Sequence, residues 1–197
     1  SPAWIKTAQS TGEMTAPVDT AAVAKVARER DLFRRLLDLG RQRDLLPLMK
    51  QALALIVDLA EVRHGYLELH DDEGGADAPP RWWIAHGFSQ DEIEAVRATI
   101  SRGIISEALA TGRTVQTPSA LLDPRFGERE SVRLAKIEAV LCAPIGEDPP
   151  RGVLYLQGRS QPGPFTDEDI ERVELATAHL APLVSRLLAE QRLQQRD

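Results

Sequence analysis

The sequence predicts an α/β (α+β) domain, a three-layer fold built on an antiparallel sheet of five to six strands. Three observations lead there. The apolar spacing is helical at both ends of the chain, and it changes to strict alternation after residue 64. The two last strand-like segments, AVLCAPI (139–145) and GVLYLQ (152–157), are apolar on both alternating sets. Strands of that kind belong to a sheet covered on both faces. Terminal helices are expected on one face, with middle helices and loops on the other.

The elements follow in order. Residues 1–18 are polar, small and without period, which predicts a flexible lead-in. Asp19 and Thr20 are good caps, and Val23, Val26, Arg30, Phe33 and Leu37 keep helical spacing. A helix is therefore expected over 20–39, within an N-terminal arm of residues 19–40 that stops at Gly40. The main domain is expected over 41–197. Its first helix, 44–60, carries Leu45, Leu46, Met49, Leu53, Ile56, Val57 and Ala60 on one broad face, with Pro47 in the first turn, where the missing amide does no harm. GYLELH (65–70) and RWWIAH (81–86) alternate and read as a hairpin around the loop 71–80. Ser89 caps a helix over 89–100, with Asp91 and Glu92 near its positive end. IISEALAT (104–111) is a short helix stopped at Gly112. A strand at 114–117, a loop at 118–127 and a helix at 128–136 come next. Strands at 138–145 and 152–157 form a second hairpin, and a long helix runs from Thr166 to Gln195, its pattern interrupted at Pro182.

Composition narrows the function classes. The chain has 197 residues, 43% hydrophobic and 27% charged, enough for one domain to bury a core without disulfides or a structural metal. A formal charge of −6 argues against nucleic acid as a direct partner. The apolar runs are too short to span a bilayer, no secretory pattern opens the chain, and the single cysteine fits a reducing compartment. A cytoplasmic location away from membranes is expected. The chain begins with Ser rather than Met, so it reads as a piece of a larger protein or one with a processed N-terminus.

Cys142 lies between Leu141 and Ala143 with no base or cation beside it in sequence, so it reads as a small buried side chain lining the core or a pocket wall. The histidines are His64, His70, His86 and His179; none forms an i, i+4 pair or sits close to Cys142, and no metal is predicted. His86, at a strand end by the pocket mouth, is the one imidazole considered as a ligand contact. Trp82 and Trp83 point to opposite faces of their strand; one is expected under the terminal helices, and Trp83 is taken to face a cavity with Phe126 and Tyr155. Around LLDPRFGERES (121–131), Arg125, Arg129 and Arg133 offer donors to an anionic ligand; a salt-bridged surface loop with Asp123 and Glu128 is the alternative. No Ser–His–Asp set, close carboxylate pair or glycine-rich phosphate loop occurs, and no catalysis is expected. Val26, Phe33 and Leu37 in the arm, with Val173, Leu180, Leu183, Leu187 and Leu188 in the last helix, offer more apolar surface than one sheet face needs. That surplus predicts a homodimer through the N- and C-terminal helices.

From Leu45 to Gln191 the order of elements resembles a GAF domain. The resemblance is carried by HGFSQDEIEAV (86–96), ISRGIISEALATGRTVQTPSA (100–120), AVLCAPI with PRGVLYLQGR (150–159), and GPFTDEDIERVELATAHLAPLV (163–184). SVRLAKIEAVLCAPI and PRGVLYLQGR are most similar to the N-terminal sensor domains of bacterial sigma-54-dependent transcriptional regulators. The resemblance implies a non-enzymatic regulatory domain that binds an unidentified small-molecule effector and acts on a downstream AAA+ ATPase or other effector domain. No GxxxxGK[ST] loop occurs, so ATP hydrolysis is not expected of these residues. Loop 121–131 falls where the family's ligand-contacting loop lies, and the NKFDE signature of cyclic-nucleotide binders is absent. Two alternatives stay open: a pure dimerisation or interaction module with a filled pocket, and a redox enzyme or thiol sensor using Cys142. Family members that reduce methionine sulfoxide use several cysteines in a relay, which one cysteine cannot complete within the chain.

Overall fold

Asp19 starts the first helix as its residue type suggests: its carboxylate accepts the amides of Ala21 (3.0 Å) and Ala22 (3.3 Å) at the open end of α1 (Thr20–Asp38). The computed structural model describes residues 16–71, 79–95, 97, 102–117 and 139–196. The chain divides into two units between Arg34 and Arg35.

In the second unit a 3-10 turn (Leu39–Arg41) leads to α2 (Leu45–Ala60), which buries nine residues, among them Leu48, Met49, Ala52, Leu53, Ile56 and Val57. Glu61 closes α2 in the left-handed region (φ 53°), and its carbonyl accepts the Ser160 amide (3.0 Å) and hydroxyl (2.9 Å). The cap turns the chain straight into β1 (Val62–Leu69), which therefore starts three residues before the alternation predicts. Arg63 and His64 interrupt the apolar pattern there, yet Val62 and His64 pair with Arg159 and Gln157.

Among the described residues five strands form one sheet in the order β2-β1-β5-β4-β3, with β2 (Trp82–His86), β3 (Val115–Thr117), β4 (Val140–Ile145) and β5 (Gly152–Arg159), every pair antiparallel. This is the α+β fold expected, its antiparallel sheet within the five to six strands the sequence predicts. Ser89 opens α3 (Gln90–Ala95) with a reciprocal box: its hydroxyl accepts the Glu92 amide, and the Glu92 carboxylate accepts the Ser89 amide. α4 (Arg102–Thr111) ends at Gly112, whose φ of +67° suits glycine. The expected extension of α3 through 96 and 98–100, the loop 118–127 and the helix 128–136 lie outside the described residues.

Thr166 and Asp169 form a second reciprocal box at the start of α5 (Asp167–Arg196), and Arg159 at the end of β5 reaches Asp169 (3.2 Å). α5 runs unbroken through Pro182, where the sequence suggests an interruption. Pro182 and Ala178, the residue whose carbonyl loses its helical donor, are both exposed, so water can take that carbonyl.

α2 and α5 pack together over one sheet face, lined by Leu67, Leu69, Leu141, Leu154 and Leu156. Gly65 lets α2 sit close: a Cβ there would lie 2.7 Å from Val57 Cγ2 and 2.9 Å from Leu53 Cδ1. α4 covers the opposite face through Ile104, Ile105 and Ala108. Each fully buried Leu, Ile or Val contributes about 1.5–3 kcal/mol relative to exposure, so the paired layers are the main source of stability.

Candidate functional site

Strand alternation and register set one row of side chains across the α4-covered face: Ala85, Tyr66, Tyr155, Cys142 and Val115, from β2 to β3. Beside it runs a second row, Trp83, Glu68 and Val153. Tyr66, Glu68, Cys142 and Tyr155 are wholly buried. Trp83, Cys142 and Tyr155 thus share one face, as their spacing requires.

The face is more polar than packing needs. Tyr66 donates its hydroxyl to Glu68 Oε2 (2.8 Å), and His70 Nε2 lies 3.3 Å from Glu68 Oε1. Tyr155 donates to Gln157 Oε1 (2.7 Å). Each bond joins residues two apart on one strand, because period two aims them the same way. A buried carboxyl is costly unless hydrogen-bonded, and these partners offset that cost. The Trp83 ring stacks 6.2 Å from Tyr66, and the Arg97 guanidinium lies 4.1 Å from the Trp83 centroid.

Burial pushes the Cys142 thiol well above its ordinary range, and the fields of Glu68 and Glu107 push it further. A thiol held protonated is a poor nucleophile. Burial raises the Tyr155 phenol as well, so its hydroxyl stays a donor. His64, stacked 5.0 Å from Phe88, is held below 6.5 chiefly by burial; Glu92 opposes the shift, while Arg63 and His86 add to it.

Other expected site residues fall elsewhere. His86 pairs with Gly65 in register, so it belongs to the opposite set from Trp83 and Tyr155 and is not part of their face. Three residues separate Trp83 from His86, and an odd separation on a strand puts side chains on opposite sides. His86 is exposed and lines a cleft of about 400 Å³ between α2, β2 and α3, with Lys50, Leu53, Ala54, Ile93 and its β2 neighbours Trp83, Ile84 and Ala85. Arg125, Phe126, Arg129 and Arg133 lie outside the described residues. Among the described residues, no group of three His, Cys, Asp or Glu could hold a metal ion, and no helix is long and apolar enough to cross a membrane.

The expected dimer surface is corrected in one half. Val26, Phe33 and Leu37 are exposed (64%, 56% and 71%), as is Val23. Leu180 and Leu187 are buried (1% and 2%), with Val173 and Leu188, and Leu183 is half-buried. α5 packs on α2 as well as on the sheet, so its apolar stripe is used inside the domain.

Glu68, Tyr66, Gln157 and Arg97 were not among the residues expected in the site. GYLELH carries the signal for two of them: Tyr66, Glu68 and His70 share one set, and Gly65, Leu67 and Leu69 the other. With both faces covered, Glu68 has to be buried.

A protein-family model described as a GAF domain matches residues 42–185. No curated protein matches the sequence. Among solved structures, the chain is similar to the GAF domain of a phosphoenolpyruvate-protein phosphotransferase from Coxiella burnetii (TM-score 0.63, 16% identity, covering 84% of this chain and 96% of that one). It is also similar to free methionine-R-sulfoxide reductase from Neisseria meningitidis in complex with its substrate (0.60, 16%, 84% and 91%). A third similar structure is residues 122 to 287 of a methyl-accepting chemotaxis protein (0.54, 12%, 78% and 96%). At these identities the likeness concerns the fold.

Proposed function

The chain belongs to the GAF domain family, and from that premise we propose that it is a non-enzymatic sensor domain of a bacterial signalling protein, acting in the cytoplasm by binding a small molecule and pairing with a second copy. The observation that carries the sensor reading is the polar and aromatic set on the α4-covered face, with Tyr66, Glu68 and Tyr155 buried and Trp83 and Gln157 half-buried. Aliphatic side chains would serve packing alone; aromatic walls with a few placed polar groups are the composition of small-molecule sites. Similarity of SVRLAKIEAVLCAPI and PRGVLYLQGR to sigma-54-dependent regulators supports an AAA+ ATPase as the attached effector.

The dimer is supported by α1. Val23, Val26, Arg30, Phe33 and Leu37 follow one another at spacings of three and four, the a/d seam of a coiled coil, and all are exposed. A stripe with that period is complementary to its own copy. A ligand that favoured one helix pairing over another would switch the effector through that interface.

Redox chemistry of the kind named for the Neisseria reductase is disfavoured by the single thiol, which is buried and held protonated. Native mass spectrometry of the purified chain tests the sensor reading. A co-purified small molecule that is lost in folded Trp83→Leu supports it. A ligand-free spectrum together with no binding from a metabolite panel leaves the filled-pocket interaction module in its place.

A further inference from the structure

The small-molecule reading does not say which chemistry the site accepts, and four side chains narrow it. Glu68 and Trp83 stand opposite each other in the β1–β2 register, where facing Cβ atoms are about 5 Å apart. Tyr66 donates to the Glu68 carboxyl (2.8 Å) and stacks 6.2 Å from Trp83. Over the Trp83 ring, 4.1 Å from its centroid, lies the guanidinium of Arg97, two residues beyond α3. Aromatic faces attract positive charge through their quadrupole, and a carboxylate in water-poor surroundings adds to that field. The chain has placed a cation of its own there. A carboxylate or phosphate entering the same space would meet both the ring face and Glu68, which oppose it.

We propose that this face takes a small organic cation, a guanidinium or an alkylammonium, which replaces the Arg97 side chain over Trp83. The proposal rests on the reading of this face as the ligand site. Arg97 is then a resident stand-in for the ligand, and its displacement couples occupancy of the site to α3.

The test titrates n-butylguanidinium, tetramethylammonium, butanoate and butanol into the full chain, following the indole N–H signals by NMR, with the signal that disappears in Trp83→Phe assigned to Trp83. Both cations are expected to shift the Trp83 signal saturably, and butanoate and butanol are not at equal concentration. Arg97→Ala should tighten cation binding by about two- to thirtyfold, the competition a cation–π contact imposes. Arg97→Lys, which retains a cation, should stay near the wild type, and calorimetric titration of Trp83→Phe, which lacks that signal, should show weaker binding. Circular dichroism checks that each variant is folded. Butanoate or butanol binding at Trp83 as tightly as the cations would overturn the cation class while leaving the ligand face standing. If no probe moves the Trp83 signal in either the wild type or folded Arg97→Ala, both readings fall.

Discussion

Replacing Phe33 with alanine should dissociate the proposed dimer without unfolding the domain. Phe33 is 56% exposed on α1, in the proposed seam with Val26 and Leu37, which are exposed too. Full burial of a phenylalanine contributes about 1.5–3 kcal/mol, so covering its exposed half contributes about 1–1.5 kcal/mol. In a two-fold dimer each substitution counts twice, giving about 2–3 kcal/mol, or roughly a 30- to 150-fold weaker dissociation constant. Folding of the separated chain should change by no more than about 0.5 kcal/mol, as for other surface substitutions. Leu180→Ala is the contrasting change: Leu180 is 1% exposed, and its truncation should cost about 3–5 kcal/mol of folding stability. Sedimentation equilibrium across a concentration series reads the first effect, and urea unfolding at low concentration reads the second. A wild-type chain that stays monomeric at high concentration, or a Phe33→Ala dissociation constant equal to the wild type, would refute the reasoning.

Cys142 should resist thiol reagents in the folded chain and react only as fast as the domain opens, because burial keeps the thiol protonated and covered. Iodoacetamide labelling followed by mass spectrometry, with and without urea, measures this, and fast labelling of the native chain would contradict it. Gly65→Ala should destabilise the domain by about 1–3 kcal/mol, since the added methyl meets Val57 and Leu53 at 2.7 and 2.9 Å and pushes α2 off the sheet; the urea midpoint reports it. His64 favours its neutral ring in the folded state, so the unfolded chain takes up a proton at higher pH. The contribution is full above 6.5 and is lost as pH falls through the lower folded value. Urea midpoints between about pH 7 and pH 5 should decline less in His64→Gln than in the wild type.

Regular period made most of the fold legible. α2, the two hairpins and α5 follow patterns that local sequence states outright, and reciprocal boxes at Ser89–Glu92 and Thr166–Asp169 mark helix starts. The early start of β1 was hidden because pairing with β5 overrides the polar Arg63 and His64. The assignment of Leu180 and Leu187 to an interface failed because an apolar surplus was measured against one sheet face, while α5 also packs on α2. In the site, alternation along β2 sets the Trp83 and His86 side chains on opposite sides, while the strand register, which local sequence does not record, puts Trp83, Cys142 and Tyr155 on one face. Glu68 was readable from GYLELH once both faces were taken as covered. Arg97 was not: it meets Trp83 only through tertiary folding, and no local pattern records that contact.

α5 measures about 45 Å at the helical rise, and its last buried residue is Leu188. Val173, Leu180, Val184 and Leu187 lock its inner surface into the core, so spinning the helix about its own axis would strip them all from their neighbours at once. Tilting it as a rod disturbs them far less. The stretch from Ala189 to Arg196 then works as a lever arm of about 12 Å, turning a small adjustment at the sheet into a lateral swing at its tip. Motion passed to the proposed effector would be angular displacement of a stiff shaft rather than torsion.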